Sequence, residues 1–332
     1  MDKQQLRQLG RAGLTTSTVG LGCMGFSQGY GPADDAESLA AIQLALDLGV
    51  TMLDTAMSYG QGHNERLVAR ALASRTSVGE VQIATKFGII RDDSGVRLDG
   101  QPERVRDYCD ASLARLGLDV IDLYYLHRVD PSVPISATVG AMAELVERGK
   151  VRHLGLSEVT PAQLAEAVAV HPIAAVQFEW SLLWREPERD LIPAARALGV
   201  GLVPYSPLGR GLLSGTLDRA GVDTSDFRRT DPRFQGENLT RNLSQVSALR
   251  SAAAALGVSP GQLALAWLLA QGEDVVPIPG SRRADRVAEN AAAADIKLSD
   301  DDLERLNMTV PPSDWVGDRR SFAVPATARS AV

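Results

Sequence analysis

Four polar residues follow or end short apolar runs: Asp54 and Tyr59 in "LDTAMSYGQGHNE", Lys86 in "IATKF" and His127 in "DLYYLHRVDP". A carboxylate beside a lysine keeps the ammonium charged. A charged ammonium beside a phenol in turn favours the phenolate and lowers a tyrosine pKa from about 10. On that reading Tyr59 becomes a usable proton donor near neutral pH, and a neutral imidazole at His127 orients the same substrate oxygen. The set suits delivery of a proton to a carbonyl oxygen while hydride arrives at its carbon.

Such groups need a scaffold that brings strand ends together. Asp34 and Asp35 can cap a helix that places Leu39, Ile42 and Leu46 on one face, and Gly49 can end it. A strand "VTML" follows. Strand-like runs then recur at "VQIATK", "VIDLYYLH", "VRHLGLS", "AAVQFEW", "VGLVPYS" and "VVPIPGS", separated by helical stretches. Pro102 opens one helix, with Val105, Cys109, Leu113 and Leu116 along a stripe and Gly117 as the stop. Thr160-Pro161 and Ser259-Pro260 are cap pairs, and Ser299 with Asp302 opens a last helix. Apolar strands alternating with helices predict a parallel sheet covered by helices.

The chemically interesting residues follow many different strands, which describes the mouth of a barrel better than the single switch point of an open sheet. The expected fold is a (β/α)8 TIM barrel forming one domain over residues 1–332. An N-terminal β-hairpin in "LRQLGRAGLTTSTVGLG" precedes it. The run Gly20 to Gly25 also fits a dinucleotide-binding G-x-G-x-x-G. In that motif the glycines open a helix, whereas here "FSQGYGP" intervenes and helix signals begin only near residue 34.

Composition narrows the partners. Thirty-four Lys and Arg against 41 Asp and Glu give a net charge of −7, with no basic patch for nucleic acid. Two cysteines make no disulfide framework, and the four histidines have no metal-ligand spacing. Neither a signal peptide nor a membrane span is evident, so a cytoplasmic protein without membrane partners is expected. Oligomeric state is left open.

"LDTAMSYGQGHNE", "IATKF" and "DLYYLHRVDP", in that order, resemble the aldo-keto reductase superfamily, and the likeness runs from "LGLGCMGFS" to "RVAEN" near residue 290. Singly, each polar residue is ordinarily a cap, an ion pair or a turn; their shared order outweighs that. The resemblance implies that Asp54, Tyr59, Lys86 and His127 form a catalytic tetrad with Tyr59 as general acid. It implies that Ser157, Glu158, Gln177 and Tyr205 hold the nicotinamide, with Glu158 replacing the commoner Asn and able only to accept. "SPLGRGLLSG" resembles the glycine-rich loop over the cofactor diphosphate, with Ser206, Leu208, Gly209 and Gly211. "PIPGSRRADRVAEN" resembles the adenosine 2′-phosphate segment: Ser281 and Arg286 match phosphate ligands, and Glu289 and Asn290 adenine contacts. Gly280 stands where some relatives carry Lys, and Arg282 or Arg283 can replace that charge. NADPH is therefore the expected cofactor and a small carbonyl compound the expected substrate. The same superfamily includes cytoplasmic potassium-channel β subunits, so a cofactor-binding regulatory module is the alternative.

Three further expectations concern the mouth. Residues 212–243, including "TLDRAGVDTSDFRRTDPRFQGENLTRN", lack apolar periodicity and read as a long cofactor-covering loop. Met24, Phe26, Met57, Phe87 and Trp180 are candidates for an apolar pocket or for barrel packing. The tail from Met308 either folds across that pocket with Trp315 or is disordered.

Overall fold

The computed structural model describes residues 4–11, 13–75, 81–92, 95–217 and 223–319. The predicted hairpin is present: β1 (Leu6–Leu9) pairs antiparallel with β2 (Leu14–Ser17). Leu9 and Leu14 plug the bottom of the barrel, buried with Met52, Leu123, Tyr125 and Val203. Gly10 makes this possible, because at φ +63° a Cβ there would lie 2.6 Å from the Ala174 carbonyl oxygen.

The chain continues through β3 (Leu21–Gly22), α1 (Asp35–Asp47), β4 (Met52–Asp54), α2 (His63–Ala73) and β5 (Gln82–Phe87). A second hairpin, β6 (Ile89–Asp92) with β7 (Gly95–Leu98), precedes α3 (Pro102–Leu116) and β8 (Ile121–Leu126). Then come α4 (Ile135–Glu147), β9 (Val151–Ser157), α5 (Pro161–Val170), β10 (Ile173–Glu179), α6 (Leu191–Leu198) and β11 (Gly201–Tyr205). The last elements are α7 (Gly236–Ala255), α8 (Pro260–Leu269), α9 (Ala284–Ala292) and α10 (Asp300–Thr309). Seven strands form one parallel sheet in the order β11-β10-β9-β8-β5-β4-β3.

Residues 275–279 close the gap between β11 and β3. Val276 and Ile278 donate to the carbonyls of Leu202 and Pro204 at 2.9 and 3.0 Å, while Pro277 and Pro279 accept from Gly20 and Gly22 at 3.0 and 3.1 Å. The two prolines cannot donate on the β3 side, so "VVPIPGS" makes half a ladder there instead of the regular strand expected. The first strand of the parallel sheet, β3, lies inside the glycine motif. A Cβ on Gly22 would stand 2.7 Å from the Ile278 carbonyl oxygen, so this glycine serves close strand approach. With α1 starting only at Asp35, the nucleotide-fingerprint reading has no helix to support it.

Helix signals hold up well: Thr160, Ser259 and Ser299 each form a reciprocal capping box, and Gly117 ends α3 in the left-handed conformation. Cys109 is buried on the α3 stripe, its thiol pushed up to about 12 by burial. The expectation of an irregular segment through 243 is corrected, because α7 begins at Gly236. Its buried face contains Leu239, Asn242, Val246 and Leu249, and the polar Asn242 breaks the apolar stripe. That amide is satisfied by the carbonyls of Arg233 and Val316, both at 3.0 Å, and accepts from the Val316 N–H.

Candidate active site

Adjacent parallel strands bring the four predicted groups together. Asp54 ends β4, Lys86 lies near the end of β5, and His127 directly follows β8, its N–H donating to the Phe87 carbonyl at 2.8 Å. Tyr59 opens a 3-10 turn after β4 whose Gly60, Gln61 and Gly62 all have positive φ, a reversal that turns the phenol back over the strand ends. Lys86 Nζ pairs with Asp54 Oδ1, donates to the Thr55 carbonyl at 2.8 Å and reaches Tyr59 Oη at 3.5 Å. Gln177 Nε2 donates to Asp54 Oδ2 at 2.8 Å. The Tyr59 and His127 rings meet edge to face with centroids 5.7 Å apart.

Burial sets the electrostatics. Desolvation works to lower the Lys86 pKa, but Asp54 and Tyr59 outweigh it, so the ammonium stays charged. Burial is the largest effect on Tyr59 and raises its pKa above the ordinary value; Lys86 offsets it only in part. This corrects the expected downward shift, since the sequence shows a cation nearby but not the loss of water around the phenol. His127 is pushed well below its ordinary value by burial first, then by Arg128, Lys86 and Arg91, and is neutral at pH 7. Its Nδ1 is buried with no hydrogen-bond partner among the described residues.

A cavity of about 380 Å³ opens beside Tyr59 and His127 and runs to Gly280, Ser281, Arg282 and Arg283. Gln177, Tyr205, Ser206, Leu208 and Gly211 line it as well. Phe227 crosses from the later loop, its N–H donating to the Gly29 carbonyl at 3.1 Å and its ring meeting Tyr30 edge to face. Arg228 lies over the Tyr30 ring, so residues 227–228 cover part of the cavity. Residues 218–222 of the expected covering loop lie outside the described residues.

Other predicted residues stand off the cavity. Ser157 Oγ accepts from Arg128 at 3.0 Å. Glu158 takes a bidentate bond from Arg319, 2.7 Å at Oε1, and accepts from Tyr205 Oη at 2.9 Å. Burial tends to raise the Glu158 pKa, but Arg319 prevails and holds it at about 2. Arg286 pairs with Glu289 and donates to Thr216 Oγ1 at 3.1 Å, while Glu289 also accepts from Ser259. Asn290 is buried on α9. Gly209 packs beneath the mouth, where a Cβ would stand 3.0 Å from the Leu183 side chain.

Of the apolar candidates, Met24 alone lines the cavity; Phe26, Phe87 and Trp180 are core residues, and Met57 packs against the core. Ile89, Phe227 and Ile278 supply apolar wall instead. The tail is docked through residue 319, with Trp315 only 1% exposed, and residues 320–332 lie outside the described residues. Sequence reasoning missed Arg319, Arg91 and Arg128. The acid that replaces Asn at position 158 was the available signal, because a buried carboxylate calls for a cation.

Four non-glycine residues have positive φ among the described residues: Gln61, Glu158, Ser206 and Arg210. All four follow barrel strands or sit in the glycine-rich loop. Each costs roughly 1–2 kcal/mol locally. At Arg210 buried ion pairs to Asp231 and Glu179 hold the conformation.

Comparison with known proteins agrees with this architecture. The family model described as "Aldo/keto reductase family" matches residues 18–310. A relative named "Probable aldo-keto reductase 1" from Glycine max is 45% identical over 314 residues, covering 94% of this chain and 90% of the relative. The structure of a glycerol dehydrogenase from Gluconobacter oxydans superposes with a TM-score of 0.84 at 30% identity, covering 92% of this chain and 96% of that one. An aldo-keto reductase from Bacillus halodurans, in its holo form, gives a TM-score of 0.76 at 28% identity over 93% and 97% of the two chains. The chain belongs to the aldo-keto reductase family. It is an oxidoreductase fold for carbonyl reduction with a nicotinamide cofactor, acting on small carbonyl compounds. No single helix among the described residues is long and apolar enough to cross a membrane.

Proposed function

We propose that the chain is an NADPH-dependent reductase of aldehydes or ketones in which Tyr59 is the general acid. The buried Asp54–Lys86–Tyr59 array beside a neutral His127, opening onto one cavity, carries this reading. The cofactor, when bound, supplies the hydride.

The chain's own residues do the rest. Tyr59 keeps its proton at neutral pH, as a donor must, and Lys86 stabilises the phenolate left after transfer. His127, uncharged, orients the carbonyl oxygen without competing as a proton donor. Asp54 holds Lys86 and is itself held by Gln177.

The cavity walls fit the cofactor. Gly22, Gly211 and Gly280 keep side chains out of it, and Ser281, Arg282 and Arg283 line it and would supply donors and positive charge to a 2′-phosphate. Ser157, Glu158, Gln177 and Tyr205 would hold the nicotinamide end, with Glu158 fixed by Arg319. Ser206, Leu208, Gly209 and Gly211 would flank the diphosphate. Gly280, Ser281, Arg282, Arg286, Glu289 and Asn290 would hold the adenosine end.

Tyr59→Phe removes the transferable proton and keeps the ring. Its kcat on an aldehyde should fall at least about a hundredfold, with NADPH still binding more tightly than NADH in a fluorescence titration. Near wild-type turnover would remove Tyr59 from the role, and bound cofactor without turnover by the wild type would favour the regulatory module.

A further inference from the structure

Glu158 stands in place of the commoner Asn, and its carboxylate is engaged by the chain itself. Arg319 donates to both of its oxygens, while Tyr205 Oη and the Glu179 N–H donate to Oε1 at 2.9 and 3.2 Å. Arg319 Nη1 also donates to Tyr205 Oη at 3.2 Å, so phenol, carboxylate and guanidinium close a triangle. Glu158 follows β9, Glu179 ends β10, and Tyr205 ends β11 directly opposite Glu179, so the bonds tie adjacent strand ends together. They also hold Glu158 at φ +55°, which is unfavourable for a residue with a side chain.

Of this triangle only Tyr205 lines the cavity, together with Tyr59, His127 and Gln177. Burial and the Glu158 charge push the phenol pKa up, so the hydroxyl keeps the proton it donates. A ring tied at its hydroxyl has a fixed face, and a flat ligand ring that stacks on that face does not have to order it first. Arg319 comes from the C-terminal tail, which is docked up to this residue. Trp315 is buried, and Val316 exchanges hydrogen bonds with Asn242 of α7. Gly317, at φ +90°, passes so close to Arg233 that a Cβ would stand 2.9 Å from its backbone nitrogen. The Arg319 guanidinium itself lies 5.6 Å from the Trp184 ring centroid.

Resting on the reductase reading, we infer that Arg319 is a positioning residue for the cofactor: brought by the tail, it braces Glu158 and Tyr205 so that the Tyr205 ring is set to receive the nicotinamide. Glu158 acts on the nicotinamide end through Tyr205, and docking of the tail is thereby coupled to cofactor affinity.

The test titrates the full chain by calorimetry with NADPH and with 2′,5′-ADP, which carries the adenosine phosphates but no nicotinamide. Arg319→Gln should weaken NADPH about tenfold, the size expected when a loosened side chain must be ordered on binding, and leave 2′,5′-ADP unchanged. Arg319→Lys should recover part of the loss, because an ammonium still pairs with Glu158 but cannot fork across both oxygens. Tyr205→Phe releases the anchor while keeping the ring and the Glu158–Arg319 pair, so it serves should Arg319→Gln leave a buried charge unpaired and fail to fold. It should show the same selective loss, and adding Arg319→Gln to it should weaken NADPH little further. Equal losses for both ligands in Arg319→Gln or Tyr205→Phe, or undiminished NADPH affinity, would overturn the positioning role and leave the reductase reading intact. A wild type that binds neither ligand would overturn the cofactor reading and the positioning role with it.

Discussion

At the scale of single residues, proton transfer turns on the sign of the Tyr59 shift. Burial raises the phenol pKa and Lys86 pulls it back in part, so Tyr59 is protonated at neutral pH and suited to reduction. Replacing Lys86 with Met removes the opposing cation, and the tyrosine pKa must rise further. A general acid loses activity above its pKa, so the alkaline limb of kcat against pH should move to higher pH in Lys86→Met, on a rate lowered by loss of phenolate stabilisation. An alkaline limb left in place would disconnect Lys86 from Tyr59. The four residue types and their order were legible in the sequence, because each sits at the end of an apolar run. The direction of the shift was not, since desolvation depends on everything packed around the phenol.

At the scale of elements, β9 and the C-terminal tail are joined by Glu158, Arg319 and Tyr205. The folded pKa of Glu158, about 2, lies below its ordinary 4.5, so this pair contributes stability above pH 4.5 and loses it as pH falls toward about 2. The amount is on the order of 3 kcal/mol. Hydrogen exchange at the Val316 amide, which donates to Asn242, reads the docking of the tail. Its protection factor should fall across that window sooner than protection of the β8 amides. Protection that is unchanged down to pH 2.5 would contradict the latch. Elements with their own local signals were readable: capped helices, long apolar strands and the hairpin. Those defined by distant partners were not. β3 has two residues, residues 275–279 carry two prolines, and α7 hides its stripe behind Asn242. Trp315 and Arg319 dock through contacts that no local pattern encodes.

At the scale of the whole molecule, the barrel converts a linear series of strand ends into one mouth, with Tyr59 and His127 at one end of the cavity and Ser281 to Arg283 at the other. The alternation of strands and helices made this architecture readable, and repeated polar residues after strands marked its active end. What the alternation could not convey is which groups share the cavity: Arg91 and Arg128 do, whereas Arg286 and Glu289 pair with each other outside it. In the proposed reaction this mouth moves a hydride from a reduced nicotinamide to a carbonyl carbon. This transfer is tested most directly by incubating the protein with 4-deuterated NADPH of one facial configuration and 4-formylbenzoate, then measuring the isotope content of the alcohol by mass spectrometry. One deuterium at the carbinol carbon is expected for each NADPH oxidised with one of the two faces, and none with the other. Alcohol without deuterium from either face, or no alcohol while NADPH is bound, would contradict it.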